Sequence, residues 1–205
     1  ENWIDEQVVT AIRKFVDEGG GFIGVGEPTA CQHQGRFFQL SDVMGVDREM
    51  GFSLSTDKYN TCDPHHFILE DESFTGKIDF GEGTTRIYAQ GKHYQILAQD
   101  GEYSQLVVNE YGKGHSVYFA GLPYSPQNCR ILLRAIYYAA GMPEEMKHYY
   151  VTNVDTEVTV FPETKRIAVI NNSEQEQKTD LYIKGKLIDQ LTLAPREMRW
   201  VSDAQ

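Results

Sequence analysis

The 205-residue chain has no cluster of Lys and Arg, no closely spaced cysteine pair, and no apolar run approaching a bilayer span. Each absence removes a class of function. With 19 basic against 30 acidic side chains the net charge is −11, and a nucleic-acid footprint needs concentrated positive charge. A membrane-spanning helix needs ~20 consecutive apolar residues, so no membrane segment is predicted. Residues Glu1 to Glu6 have neither the basic nor the apolar region of a secretory signal. Cys31, Cys62 and Cys129 stand far apart. They read as free thiols of a cytoplasmic protein rather than as disulfide staples. The chain also begins without methionine, which we read as a span cut from a longer protein.

What the sequence does contain is enough apolar character, 40% with 12% aromatic, to pack a core. Charge divides unevenly, with a balance of −10 over residues 1–145 and −1 over 146–205. A shift of that kind marks a domain boundary, so one domain is expected over 1–145 and a second over 146–205.

Asp5 opens an amphipathic helix, with Val8, Val9, Ile12, Phe15 and Val16 at three- and four-residue spacing. Gly19-Gly20-Gly21 ends it, and Phe22 to Gly26 follows as a short buried strand. Helix, glycine turn and strand make the second half of a βαβ unit, for which a preceding strand is expected. Pro28 to Phe38 reads as a loop. Phe37, Phe38, Leu40 and Val43 suggest a short helix closing near Gly45. Strand-like runs follow at Phe67–Leu69, Arg86–Ala89 and Tyr94–Ala98. Leu106–Tyr111 and His115–Ala120, joined by Gly112-Lys113-Gly114, predict a hairpin. Pro126 precedes a helix with Ile131, Leu132, Ala135, Ile136 and Ala139 on its buried side, stopped by Gly141-Met142-Pro143. After Glu145 the texture becomes short strands at regular spacing, 154–161, 166–171, 179–183, 187–193 and 198–201, the pattern of a small β-sandwich-like domain.

Several residue groups invite chemistry and most lose it in context. Gly24-Val25-Gly26 lacks the third glycine and the following acidic residue of a dinucleotide fingerprint, and Pro28 interrupts the turn. Cys31 follows a buried strand, but it comes past a proline rather than in the tight elbow a nucleophile needs. Cys62-Asp63-Pro64-His65-His66 offers adjacent histidines without a second ligand pair at zinc spacing, so no metal is assigned. No two carboxylates stand in a recognisable glycosidase context. The polar group that remains is Glu27, His33, Gln34 and Arg36, on the loop at the carboxyl end of a strand, where open α/β sheets bind ligands. These four are the candidates for contact with a substrate or a neighbouring domain.

The run from Phe15 to Pro28 is specific. With Gln34–Leu40, Val43–Asp47, Leu54–Asn60 and Gly114–Ser125, it resembles the galacto-N-biose/lacto-N-biose phosphorylases, the 1,3-β-galactosyl-N-acetylhexosamine phosphorylases of glycoside hydrolase family 112. The resemblance covers nearly the whole chain. It implies a glutamine-amidotransferase-like (flavodoxin-like) three-layer α/β middle domain followed by the small all-β domain, with an N-terminal (β/α)8 catalytic barrel outside this span. It also implies cleavage of Galβ1-3GlcNAc or Galβ1-3GalNAc by inorganic phosphate, without a cofactor. No segment here matches the barrel, so no catalytic residue is carried over. The expected role is support of the barrel or homodimer formation. A self-standing sugar- or anion-binding module is the alternative.

Overall fold

The computed structural model describes residues 3–33, 36–51, 61–70 and 77–202, with 30–33 described by backbone alone. The chain divides into two compact units, one running to Gly141 and one starting at Met142. The sequence reading had set that change at 145/146. None of the described helices is long and apolar enough to cross a membrane.

Helix α1 (Glu6–Asp17) starts at Asp5, whose carboxylate accepts the Gln7 N–H at 2.7 Å and satisfies one of the free donors of the first turn. The chain turns into β1 (Gly21–Val25), then into β2 (Ala30–His33) and β3 (Arg36–Phe38). This pair is a correction. The stretch 28–38 was expected to be a loop, and Phe37 and Phe38 to belong to a helix, but β2 and β3 pair antiparallel. Phe38 is fully buried, and extended backbone is what lets it reach the core while Phe37 is only partly buried. Helix α2 is correspondingly short (Ser41–Met44), and it closes on Gly45 as expected, at φ +69. There follow β4 (Val46–Arg48), β5 (Ile87–Ala89), β6 (Tyr94–Asp100), β7 (Tyr103–Tyr111), β8 (Gly114–Phe119) and α3 (Pro126–Ala139).

Phe67–Leu69, expected as a strand, is a single 3-10 turn. The His66 ring nitrogen accepts the Ile68 N–H at 3.2 Å, a local bond that competes with extension.

The central sheet has the order β1-β8-β7-β6. It is mixed: β1 and β8 run parallel, while β8, β7 and β6 form an antiparallel meander. Helices cover both faces. A Cβ placed on Gly21 would strike the Ala139 backbone of α3, and one on Gly24 would lie 2.8 Å from the Met44 sulfur of α2. Positions 21 and 24 of a strand face opposite ways, so α3 lies on one face and α2 on the other. The α2 face holds the main apolar cluster, with Val9 and Val16 of α1, Phe38, Leu40, Met44, Val107 and Tyr118. The helix faces are narrower than expected. Val8 and Phe15 of α1, and Ile136 of α3, were placed on buried sides and are instead exposed. Periodicity defines an apolar stripe, but the width that gets covered depends on what packs against it.

The second unit opens with α4 (Pro143–Met146), followed by β9 (Tyr149–Val151), β10 (Thr156–Phe161), β11 (Arg166–Asn171), β12 (Gln177–Ile183), β13 (Lys186–Leu193) and β14 (Met198–Ser202). Two three-stranded antiparallel sheets, β10-β11-β14 and β13-β12-β9, share one apolar cluster of Val151, Ile167, Val169, Leu181, Ile183, Leu191 and Leu193. Tyr150 and Tyr182 stack flat across the β9–β12 pair, centroids 4.8 Å apart.

Candidate functional site

The polar end of the first unit lies where β1 and β8 finish side by side. Gly26 N–H donates to the Phe119 carbonyl at 2.9 Å, and the Tyr118 hydroxyl donates to the Gly26 carbonyl at 2.8 Å. Burial, only partly offset by a hydrogen bond with Thr84, drives the Tyr118 phenol far above its ordinary pKa. It is therefore a fixed neutral donor that pins the exit of β1.

Beyond that exit, Glu27 forms an ion pair with Arg48 of β4. The Arg48 guanidinium lies 4.9 Å from the Phe37 ring centroid, a cation–π arrangement that holds the pair against the β2–β3 hairpin. Next to Arg48, Asp47 is almost fully buried. One of its oxygens accepts three backbone N–H groups, from Phe37 (3.1 Å), Phe38 (3.0 Å) and Arg48 (2.9 Å). Burial raises the Asp47 pKa, and those three donors and the Arg36 charge oppose the rise. Asp47 thus clamps β3 to β4. Tyr88, across from Asp47 in the β4–β5 pair, is raised by its own burial and then by the Asp47 charge.

Of the four sequence candidates, Glu27 and Arg36 are placed at this end, but they do not pair with each other. Arg36 donates to the Ser41 hydroxyl at 3.0 Å. His33 pairs with Arg36 through the strand register. The His33 and Cys31 side chains, and Gln34 altogether, lie outside the described residues. Asp47, Arg48, Thr84 and Tyr118 were not singled out from the sequence. The only local signal for the first two was a charged pair directly after Gly45-Val46. Thr29 completes the group: it is buried at φ +54, and its hydroxyl has no partner among the described residues.

The second polar cluster is of a different kind. Asp63 accepts the His65 N–H and lies 2.8 Å from its ring nitrogen, while His66 turns the other way onto Tyr138, centroids 4.7 Å apart. Burial lowers the His66 pKa, and nearby Glu70 opposes this. Tyr138 is pushed up to about 12 by burial and by Glu110. The two histidines diverge, and among the described residues no three metal-binding side chains converge.

Comparison with known proteins agrees with this division of the chain. A family model for the lacto-N-biose phosphorylase central domain matches residues 1–144, and one for the C-terminal domain of the same proteins matches residues 149–201. The 1,3-beta-galactosyl-N-acetylhexosamine phosphorylase Cphy3030 of Lachnoclostridium phytofermentans is 51% identical over 180 residues, covering 88% of this chain and 24% of that protein. The 1,3-beta-galactosyl-N-acetylhexosamine phosphorylase of Bifidobacterium longum subsp. longum is 35% identical, covering 97% of this chain and 30% of that protein. The chain therefore spans about a quarter to a third of the length of these relatives. Among solved structures, a cold-adapted β-galactosidase from Rahnella sp. R3 shares the fold, with a TM-score of 0.54 at 22% identity over 97% of this chain and 30% of that one. On these matches the chain belongs to the lacto-N-biose phosphorylase family, and it covers that family's central and C-terminal domains in order.

Proposed function

We propose that this chain is the non-catalytic central and C-terminal part of a phosphorylase that cleaves Galβ1-3GlcNAc or Galβ1-3GalNAc with inorganic phosphate. In that reaction phosphate oxygen bonds to the galactose anomeric carbon as the bond to the departing N-acetylhexosamine oxygen breaks. A general acid supplies the proton to that oxygen. The products are galactose 1-phosphate and free N-acetylhexosamine, and the scheme calls for no cofactor. The acid and the sugar contacts are assigned to a (β/α)8 barrel preceding this span. The α/β unit, read as amidotransferase-like, and the β unit, read as a small sandwich, support that barrel or join two copies of the protein in the cytoplasm.

The observation that carries this reading is the state of the polar groups at the end of β1. Glu27 is committed to Arg48, Arg36 to Ser41 and Asp47 to three backbone donors. A general acid needs a free proton within reach of substrate, and these groups are occupied in holding the hairpin. The candidates Glu27, His33, Gln34 and Arg36, in and beside that hairpin, are the surface proposed to meet the barrel. The purified 205-residue chain, assayed with Galβ1-3GlcNAc and phosphate, is expected to release no galactose 1-phosphate. Release would sink the non-catalytic role.

A second reading, a binding site of the loop's own, is favoured by the Thr29 hydroxyl, buried without a partner among the described residues. Titration calorimetry with galacto-N-biose, lacto-N-biose and phosphate tests it. Heat from any of them at millimolar concentration would establish a site, and silence from all three would remove it.

A further inference from the structure

The two edges of the central sheet are finished differently. At β6 the pairing shifts register at Ile96/Ala98 and again at Ala98/Gln99, and the strand carries Gln95, Gln99 and Asp100. Its outer side is also met by Cys62, bridged to Ile96, and by the Asp63 N–H, which donates to the Ile96 carbonyl at 2.8 Å. Irregularity, polarity and a covering segment are the usual ways to close an edge against further pairing. Among the described residues the other edge, β1, shows none of them. Its five residues include no charge and no proline, its register with β8 is unbroken, and among the described residues it pairs with β8 alone.

The helices beside β1 repeat the asymmetry. On one flank of α1, Arg13 donates to Asp42 (2.9 Å) and to the Gln39 carbonyl (2.6 Å), tying that flank to α2 and the turn before it. Val8 and Phe15 lie on the opposite flank, exposed, with the Phe15 ring over Gly20 just before β1. On the other face of the sheet, one flank of α3 is held by Arg134, which donates to the Phe67 carbonyl at 2.8 Å. Leu133 and Ile136 lie away from that flank and are 43% and 49% exposed. Val25, on the α3 face of β1, is 43% exposed although helices flank the strand. An unprotected edge between two uncovered apolar helix flanks is the cross-section of a slot one strand wide.

We propose that β1 is an interior strand of the whole protein, and that its open edge takes one more strand, parallel to it, from the polypeptide running ahead of α1. This rests on the reading of the chain as one span of a longer phosphorylase, whose relatives here are three to four times the matched length. The direction follows from connectivity. Helix α1 feeds directly into β1, and a strand–helix–strand unit joins parallel neighbours. On the inner side that place is already filled by β8.

The test uses the full-length protein with the photo-reactive residue p-benzoylphenylalanine placed at Phe15 or at Ile136. Irradiation is expected to link both positions, from opposite faces, to one stretch of the same polypeptide ahead of Glu1, with no dimer on a denaturing gel. Links to a second copy, links to unrelated stretches, or no links would overturn the proposal. Residue-resolved amide exchange on the same protein is a second check. Successive amides from Phe22 to Val25 should be protected as strongly as Val117 and Phe119, whereas fast exchange at alternate positions would mark a true edge. Galactose 1-phosphate release, measured in parallel, keeps the two readings apart. Activity without links sinks only the strand, and links without activity sink only the enzyme.

Discussion

The two units use their buried polar side chains in opposite ways. In the α/β unit these groups fasten one element to another: Ser116 of β8 and Asn109 of β7 donate to the Val43 carbonyl of α2 at 2.6 and 2.9 Å, and Asp47 of β4 gathers the N–H groups of β3. In the β unit they close corners. Asn171 donates to the Gln175 and Ala194 carbonyls at 2.7 and 2.9 Å and accepts the Ser173 N–H, while Thr156 and Asn153 meet Thr179 where β12 passes. A unit built of hairpins receives its register from its turns and needs polar groups only where the chain reverses. A helix laid on a sheet has no ladder to set its position, so a few directional bonds do it instead.

That contrast can be broken from either side. The largest effect is expected at Gly45, where φ is +69 and an added Cβ would lie 2.7 Å from Asn109. Gly45→Ala should cost the α/β unit about 3 kcal/mol through strain and overpacking. In a Trp3→Phe background the remaining tryptophan, Trp200 of β14, reports the β unit by fluorescence, and its urea transition should not move. Asn171→Ala is the converse. Removing the buried amide that holds the Gln175 and Ala194 carbonyls should cost the β unit about 2 kcal/mol and shift the Trp200 transition, while amide exchange in β7 and β8 stays unchanged.

A smaller effect concerns pH. The His66 pKa is lowered by folding, so the native state binds fewer protons than the unfolded one. The associated stability is present above the ordinary value of 6.5 and is lost as pH falls from there through the lower folded value. Protonation would also remove the acceptor of the Ile68 N–H. Thermal melting should therefore show the α/β unit less stable at pH 5 than at pH 7, and His66→Asn, which keeps an acceptor near that N–H, should flatten the difference. The smallest effect is at the exposed Lys14–Glu18 pair. Lys14→Ala should change the unfolding free energy by less than about 0.5 kcal/mol, and a larger loss would mean that α1 depends on surface charge as well as on Val9 and Val16.

How much of the candidate site was legible follows the same divide. Glu27 and Arg36 could be named because they flank a glycine-bounded strand end, a local pattern. Their partners could not. Glu27 meets Arg48 across 21 residues, and Asp47 serves N–H groups 9 and 10 residues behind it. Only the folded hairpin brings those atoms together, and the sequence reading has a loop where 30–33 and 36–38 are extended.

By itself the sequence determined the elements whose causes lie within a few residues. These are α1 from Asp5 to its glycine stop, the β7–β8 hairpin around Gly112, α3 between Pro126 and Gly141, and the short strands after Glu145. Each depends on periodicity, capping or turn chemistry, which are local. Tertiary structure decided the rest. It set β1 parallel to β8 across some ninety residues of chain and left Val8, Phe15 and Ile136 uncovered. Those outcomes depend on which surfaces arrive beside one another. A stripe of apolar side chains specifies that something should cover it, and only the assembled fold shows what does.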